Sequence, residues 1–594
     1  MNALQHIFRP LREGKHIIVL QGRDLRDFTV DEQGRIMPLL ERLREEAHRK
    51  DLILLQYARS SGLTFDTSYY SEDQVKDINR VLGSLGIERQ ETGSEAEFMQ
   101  VMRGLLHLVQ RSRGPKFSDG TPMKFMILIE FAEHVAPNAQ SAILSPEQII
   151  SLELASKLSK SLALRKSGHF VIFSEAQEGK LNELLSREIH RIRLPQPGID
   201  EKKEFLKALK DRYAGIKTEP GLTDEIIVNI TSNTPNRSLE EIFLAAYNTG
   251  SIITPDIIFK KKQDDIIALS EGTLEAVDTQ RTQNQKLVGR NIERAMLILS
   301  KAAESIRTGS KGSFRNILLA GAPATGKTHL AVQSASMAKI QAFMLNSPKS
   351  SYVGESERKT KLMLSTLREQ KGIGIIDELE MVLPMNRKNS ENLDSGVTQN
   401  IMGQLQTFLS DSSLEGKVML IATSNKPGNI SAAMLSRWNV IPVLMPLRSD
   451  FPAIVQSIYQ SMLPDGEEME ISGSDLQILA DQFYTAGASA RDIRDSLIAA
   501  KSFIGGPLSI RHLEYAARTV VPSIDRVSYI YSDYMALKYT RNYLFLPWWD
   551  YQNNKVYDDY VFPDYIAEIL DDYMKIDMKK LNAKIQELER YANV

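Results

Sequence analysis

The sequence has no cysteine and only three tryptophans in 594 residues. Without cysteine there is no disulfide framework and no thiolate-bound zinc or iron–sulfur centre, which fits a reducing compartment. No apolar run reaches the roughly 20 residues that a membrane-spanning helix needs. The opening stretch, Met1-Asn-Ala-Leu-Gln-His-Ile-Phe-Arg-Pro10, lacks the apolar core of a secretory signal. Nor does one sign of charge dominate: 73 basic against 75 acidic residues leave a net charge of −2. With no broad basic field, nucleic acid is not an expected partner. These absences lead to the expectation of a cytoplasmic protein that neither crosses nor needs a membrane. The length allows roughly three to five compact units.

What is present centres on Gly321-Ala322-Pro323-Ala324-Thr325-Gly326-Lys327-Thr328, a G-x-x-x-x-G-K-T stretch. It follows the strand-like Asn316-Ile-Leu-Leu-Ala320 and leads through His329 into a helix-like segment. Strand, glycine loop and helix form a P-loop, whose backbone N–H groups and helix N-terminus cradle phosphate. Lys327 is expected to reach the β- and γ-phosphates of ATP, and Thr328 to ligate Mg²⁺. Fifty residues beyond Lys327 comes Ile373-Gly-Ile-Ile-Asp377-Glu378, a buried strand ending in two acids. Asp377 is the expected Mg²⁺ partner and Glu378 the base that activates water. Val418-Met-Leu-Ile-Ala-Thr-Ser-Asn425 is a further buried strand, and Asn425 would lie beside Asp377 if the strands are neighbours.

The first 270 residues repeat the alternation of strands and helices without the loop. His16–Leu20, Asp51–Gln56, Phe125–Glu130, Ser167–Phe173 and His190–Leu194 read as strands, and Ile36–Arg49 as a helix. This implies a mostly parallel α/β sheet. Glu130 stands where a nucleotide fold would carry its metal-linked acid. With no glycine loop upstream it reads as a structural acid, and Glu133 as a solvated acid at a helix start. Residues 199–270 read as a helical lid and 271–286 as a polar linker.

P-loop, Asp377-Glu378 and Thr423-Ser424-Asn425 together resemble the AAA+ ATPases. Ser351-Tyr352-Val353-Gly354-Glu355-Ser356-Glu357 resembles the pore loop of the narrower AAA subfamily that includes katanin and the proteasomal ATPases. In that family Tyr352, Val353 and Gly354 would grip a polypeptide. The resemblance makes Gly289 part of the nucleotide site, Asn425 the first sensor and Arg437 an arginine finger acting on a neighbouring subunit. In the stretch Ala433-Met-Leu-Ser-Arg437-Trp438, Arg437 matches the second of the family's two arginines, Ser436 stands near the first, and the Pro-Gly is missing. Arg491, with Arg494 as its rival, would be the second sensor. The whole layout is similar to the degenerate-tandem ATPases of algal plastids and cyanobacteria. It implies two AAA+ modules in tandem, each a parallel α/β domain with a helical lid. The expected domains are 1–198 degenerate α/β, 199–270 lid, 271–286 linker, 287–447 catalytic α/β, 448–521 lid and 522–594 a C-terminal extension.

That extension is dense in tyrosine and carries Trp548-Trp549, with a helix expected over Ile576–Tyr591. It reads either as a docking module for a partner or as a segment packed on its own lid. The functional expectation is a homohexameric, Mg²⁺-dependent ATPase that remodels a protein or protein assembly. The alternatives are an ATP-controlled scaffold without threading and, less favoured, a nucleic-acid motor or loader.

Overall fold

The computed structural model describes residues 3–87, 95–110, 114–138, 144–176, 180–182, 185, 189–278, 287–338, 340–346, 355–382, 395–464, 467, 469 and 471–589. The chain divides into two compact units, Met1–Asp265 and Ile266–Val594. Among the described residues no helix is long and apolar enough to cross a membrane.

The first unit is built on β1 (Ile17–Gly22), β2 (Phe28–Val30), β3 (Ile36–Pro38), β4 (Ile53–Ala58), β5 (Gly62–Thr64), β6 (Phe125–Ile129), β7 (Phe170–Ser174) and β8 (His190–Leu194). Its main sheet runs β5-β4-β6-β7-β1-β8, parallel throughout except for the edge strand β5. Every residue of β6 is buried, as expected for a parallel strand covered on both faces. Two apolar clusters cover the sheet, one around Tyr57, Phe125 and Phe173 and the other around Ile7, Leu43 and Leu128. The helix read from Ile36 begins instead at Leu39. Ile36–Pro38 pairs antiparallel with Phe28–Val30 as a small ribbon. Pro38 donates no N–H and precedes the helix as its cap residue, so the helical periodicity of the sequence overran its start. Four helices, Ile199–Arg212, Asp224–Thr231, Asn236–Thr249 and Pro255–Leu269, follow β8.

The second unit contains β9 (Leu274–Val277), β10 (Asn316–Ala320), β11 (Ala342–Leu345), β12 (Gly372–Ile376), β13 (Val418–Ser424) and β14 (Asn439–Pro442). The sheet order is β14-β10-β13-β12-β11-β9, with only β9 antiparallel. With its antiparallel edge strand set aside and its parallel strands counted in chain order, each sheet reads 5-1-4-3-2. The tandem α/β architecture is therefore real. β9 lies inside the segment read as a linker: four residues of alternating burial are enough to close the sheet edge. Four helices, Phe451–Gln460, Gly473–Ala486, Ala490–Ile504 and Ile510–Thr519, make up the segment read as a lid and share one apolar cluster. Ser489 and Asp492 start the third of these with a capping box.

The C-terminal extension packs within this unit. Helix Arg526–Tyr539, the short strands β15 (Trp549–Asp550) and β16 (Lys555–Val556), and helix Met578–Glu589 enclose a common core. Trp548 and Tyr534 lie in that core, 0% and 1% exposed, together with Leu444 and Leu447. Most of the aromatic residues that suggested a docking surface are thus spent on internal packing.

Candidate functional site

The registers Ala320↔Ser424 and Ile376↔Ala422 align the C-terminal ends of β10, β13 and β12. The chemistry-bearing residues follow directly on those ends. This is the crevice in which open α/β sheets bind ligands. Gly321 opens the loop so close to Val443 that a Cβ there would sit 2.1 Å from the Val443 carbonyl oxygen. Ala324 and Gly326 take positive φ, +62° and +86°, turning the loop before helix Lys327–Ala338 begins. Pro323 precedes these turns, and Thr325, between them, bonds back to the Ala322 carbonyl at 2.9 Å. His329 is half-buried in the first turn of the helix. Leu287 packs against Gly326, so the segment holding Gly289 borders the loop. Gly289 itself adopts φ +136° before helix Arg290–Thr308.

Lys327 points into the loop, donating to the carbonyls of Gly321 and Ala322 at 3.0 and 2.6 Å. Burial pulls its ammonium down to about 8, while Glu380, Asp533, Asp377 and Glu378 oppose that fall. The Thr328 hydroxyl donates to Asp377 at 2.7 Å, and Thr423 donates to the same oxygen. Two hard oxygen donors thus meet at the mouth of the loop, a donor set that suits Mg²⁺ completed by phosphate and water.

Strands β12 and β13 are neighbours, and the Asn425 amide donates to the Glu378 carboxylate at 3.2 Å. Glu378 takes φ +48°, a strained conformation for a residue with a side chain and one that clusters at functional sites. Its N–H donates to Thr423 at 3.0 Å. The sequence reading missed Glu380, whose carboxylate accepts the N–H groups of Asn425 and Lys426 at 2.9 and 3.2 Å. It ties the Asn425 turn to β12. The signal was a third acid, three residues after Asp377, on the short helix Leu379–Val382.

Arg437 lies at the other end of the sheet. Its carbonyl accepts from Asn316, the first residue of β10, whereas the P-loop follows the last. Its guanidinium is exposed and donates to Ser410 at 3.2 Å. Arg491 occupies the first turn of the third lid helix, exposed, with its charge acting on the Tyr529 hydroxyl. Arg494 is exposed one turn further on. Tyr352, Val353 and Gly354 fall outside the described residues, as do residues 383–394.

The corresponding crevice of the first unit is closed from within. Arg23 follows β1, 4% exposed, and binds Asp27 and Glu201 at 2.8 Å and the Phe28 carbonyl at 2.7 Å. Phe131 stands where Glu378 stands, with φ +49° and the Arg26 guanidinium 4.6 Å above its ring. Glu130, at the Asp377 position, is tied to Arg26 and Gln56. Glu133 is not solvated: it is 7% exposed and accepts the Ala176 N–H. Ion pairs and an aromatic ring thus stand at the positions that correspond to the P-loop, Asp377 and Glu378.

Residues 317–444 match the model of the ATPase family associated with various cellular activities (AAA). Residues 9–195 match the AAA+ chaperone, N-terminal Rossmann-like domain. Both matched regions are AAA+ domains. Among relatives of this AAA+ protein, the ATPase family gene 2 protein of Saccharomyces cerevisiae is 27% identical over 249 residues, covering 37% of this chain and 30% of that protein. Nuclear valosin-containing protein-like of Mus musculus is 27% identical over 259 residues, or 40% and 30%. Spastin of Naegleria gruberi is 26% identical over 226 residues, or 37% and 42%. The matched region thus spans well under half of each relative's own length.

Proposed function

We propose that this protein is a ring-forming, Mg²⁺-dependent ATPase that hydrolyses ATP in its second unit and uses the cycle to remodel a protein or protein assembly. The observation that carries the reading is the Glu378–Asn425 pair beside the P-loop lysine. The loop N–H groups and Lys327 hold the phosphates. Glu378 accepts a proton from the attacking water, and Asn425 orients that water and the carboxylate. Thr328 and Asp377 would hold the magnesium ion, which when bound offsets charge on the phosphate oxygens. Arg437, remote from its own P-loop, is suited to a neighbour's γ-phosphate, which implies a closed ring. Arg491 would touch phosphate from the lid. Tyr352, Val353 and Gly354 would hold the substrate polypeptide, and the oligomer would be a homohexamer.

The self-filled first unit favours a second reading, an ATP-controlled scaffold whose partners change without being threaded. One experiment separates the two. Glu378→Gln is loaded with ATP, and captured proteins are compared with those held by Lys327→Ala. A polypeptide enriched by the trap and released when Tyr352→Ala is added supports threading. A partner retained despite Tyr352→Ala supports the scaffold. Capture of nucleic acid alone would overturn both.

A further inference from the structure

The C-terminal module takes no part in the chemistry above, yet it grips the backbone against which the P-loop leans. Val443 is that backbone: its N–H donates to Ala320 at 2.8 Å and its carbonyl faces Gly321. Two residues on, the Met445 N–H donates to the Asp533 carboxylate at 3.1 Å, and the Met445 carbonyl accepts from Asn291. Both partners are held by the module. Tyr565 donates to the same Asp533 oxygen at 2.7 Å, and Tyr560 donates to Asn291 at 2.6 Å. The first lid helix begins at Phe451, so residues 443–447 are the hinge between sheet and lid. Leu444 and Leu447 are sealed into the module's aromatic core.

Asp533 is 0% exposed, and its second carboxylate oxygen has no hydrogen-bond partner. Burial raises it to about 7, and Lys327 lies near enough to act against that rise. A buried carboxylate with an unpaired oxygen is a costly way to hold one backbone N–H. Its position between module, hinge and P-loop is the reason to keep it.

We propose that Asp533 is a positioning residue for the nucleotide site, acting through Met445 so that the docked C-terminal module sets the hinge behind Gly321. This rests on the reading of the second unit as an ATP site. It makes module docking and nucleotide binding reciprocal: each favours the hinge geometry that the other needs.

The test is nucleotide affinity in the full chain, measured with a fluorescent ATP analogue and Mg²⁺, together with the split between KM and kcat. Asp533→Ala removes the tie to Met445 and should weaken binding by about tenfold, raising KM more than it lowers kcat. Asp533→Asn can keep its carbonyl oxygen toward Met445 and Tyr565, and should restore affinity close to wild type. Tyr560→Phe keeps the ring and loses only the bond to Asn291, so it should shift affinity in the same direction as Asp533→Ala even if that variant folds poorly. Folded variants that melt lower yet bind the analogue as wild type does would overturn the proposal. Failure of the wild-type chain to bind the analogue would instead sink the ATP-site reading, and this proposal with it.

Discussion

The Asn425 side-chain amide donates to the Glu378 carboxylate at 3.2 Å, and the N–H of Asn425 is fastened to Glu380 at 2.9 Å. Glu378 is thus held from the neighbouring strand, and the residue that holds it is itself anchored. Glu378→Gln should keep ATP binding and lower turnover by about 10²–10⁴-fold, the usual weight of a general base. Single-turnover hydrolysis beside a binding isotherm checks this, and near-normal turnover would remove Glu378 from the role. Glu380→Gln leaves an acceptor for Asn425 and should lower turnover less than Glu378→Gln does.

Lys327→Ala should weaken ATP binding by roughly ten- to a hundredfold, as expected for losing a charge-assisted contact. The same variant reports on the first unit. Arg23, Arg26 and Phe131 fill its crevice, so the full-length Lys327→Ala chain should show no residual high-affinity site by calorimetry.

Arg437→Ala should bind ATP normally and hydrolyse it roughly 10³-fold more slowly, the lower range for an arginine finger. In the proposed ring, its distance from its own P-loop makes the loss a matter between subunits. Mixing Arg437→Ala with Lys327→Ala should therefore recover part of the turnover. A mixture no more active than its components would place Arg437 outside the reaction.

The lid of the first unit buries two lysines. Lys202 and Lys262 are 0% and 2% exposed, and burial pulls each down to about 7. Their Nζ atoms donate to the Pro235 and Ile230 carbonyls. In the unfolded chain both stay protonated to about pH 10.4. Between those limits the unfolded state binds more protons, so the first unit's stability should rise with pH. Urea unfolding of the full chain at pH 7.5 and 9.5 should show that rise, and Lys202→Met should flatten it. A slope unchanged by the substitution would mean that Lys202 stays protonated in the fold.

How much was legible beforehand follows the range of the signals. Gly321–Thr328 and Asp377-Glu378 declare themselves because phosphate binding needs fixed residue types at fixed short spacing, next to apolar strands. Most of the parallel strands were readable, chiefly as apolar runs, but β11 and β14, four residues each, were not read, and β8 is interrupted by Arg191 and Arg193. β9 and the β2–β3 ribbon were not, since strands of three or four residues carry little periodicity. The partner of Asn425 depended on strand register, in which one residue moves a side chain to a different neighbour.

The sequence alone thus determined the tandem α/β plan and the glycine loop and acids that follow its strands, because both are written in local patterns. Only the tertiary structure decided the rest. It buried Arg23 at the first unit's β1 end, because Glu201, far along the sequence, converges there with the local Asp27. It put Arg437 at the far end of β10, because a parallel strand carries its two ends to opposite edges of the sheet. And it turned the tyrosine-rich tail inward, because the apolar hinge at Leu444 and Leu447 needed covering and the aromatic side chains could cover it.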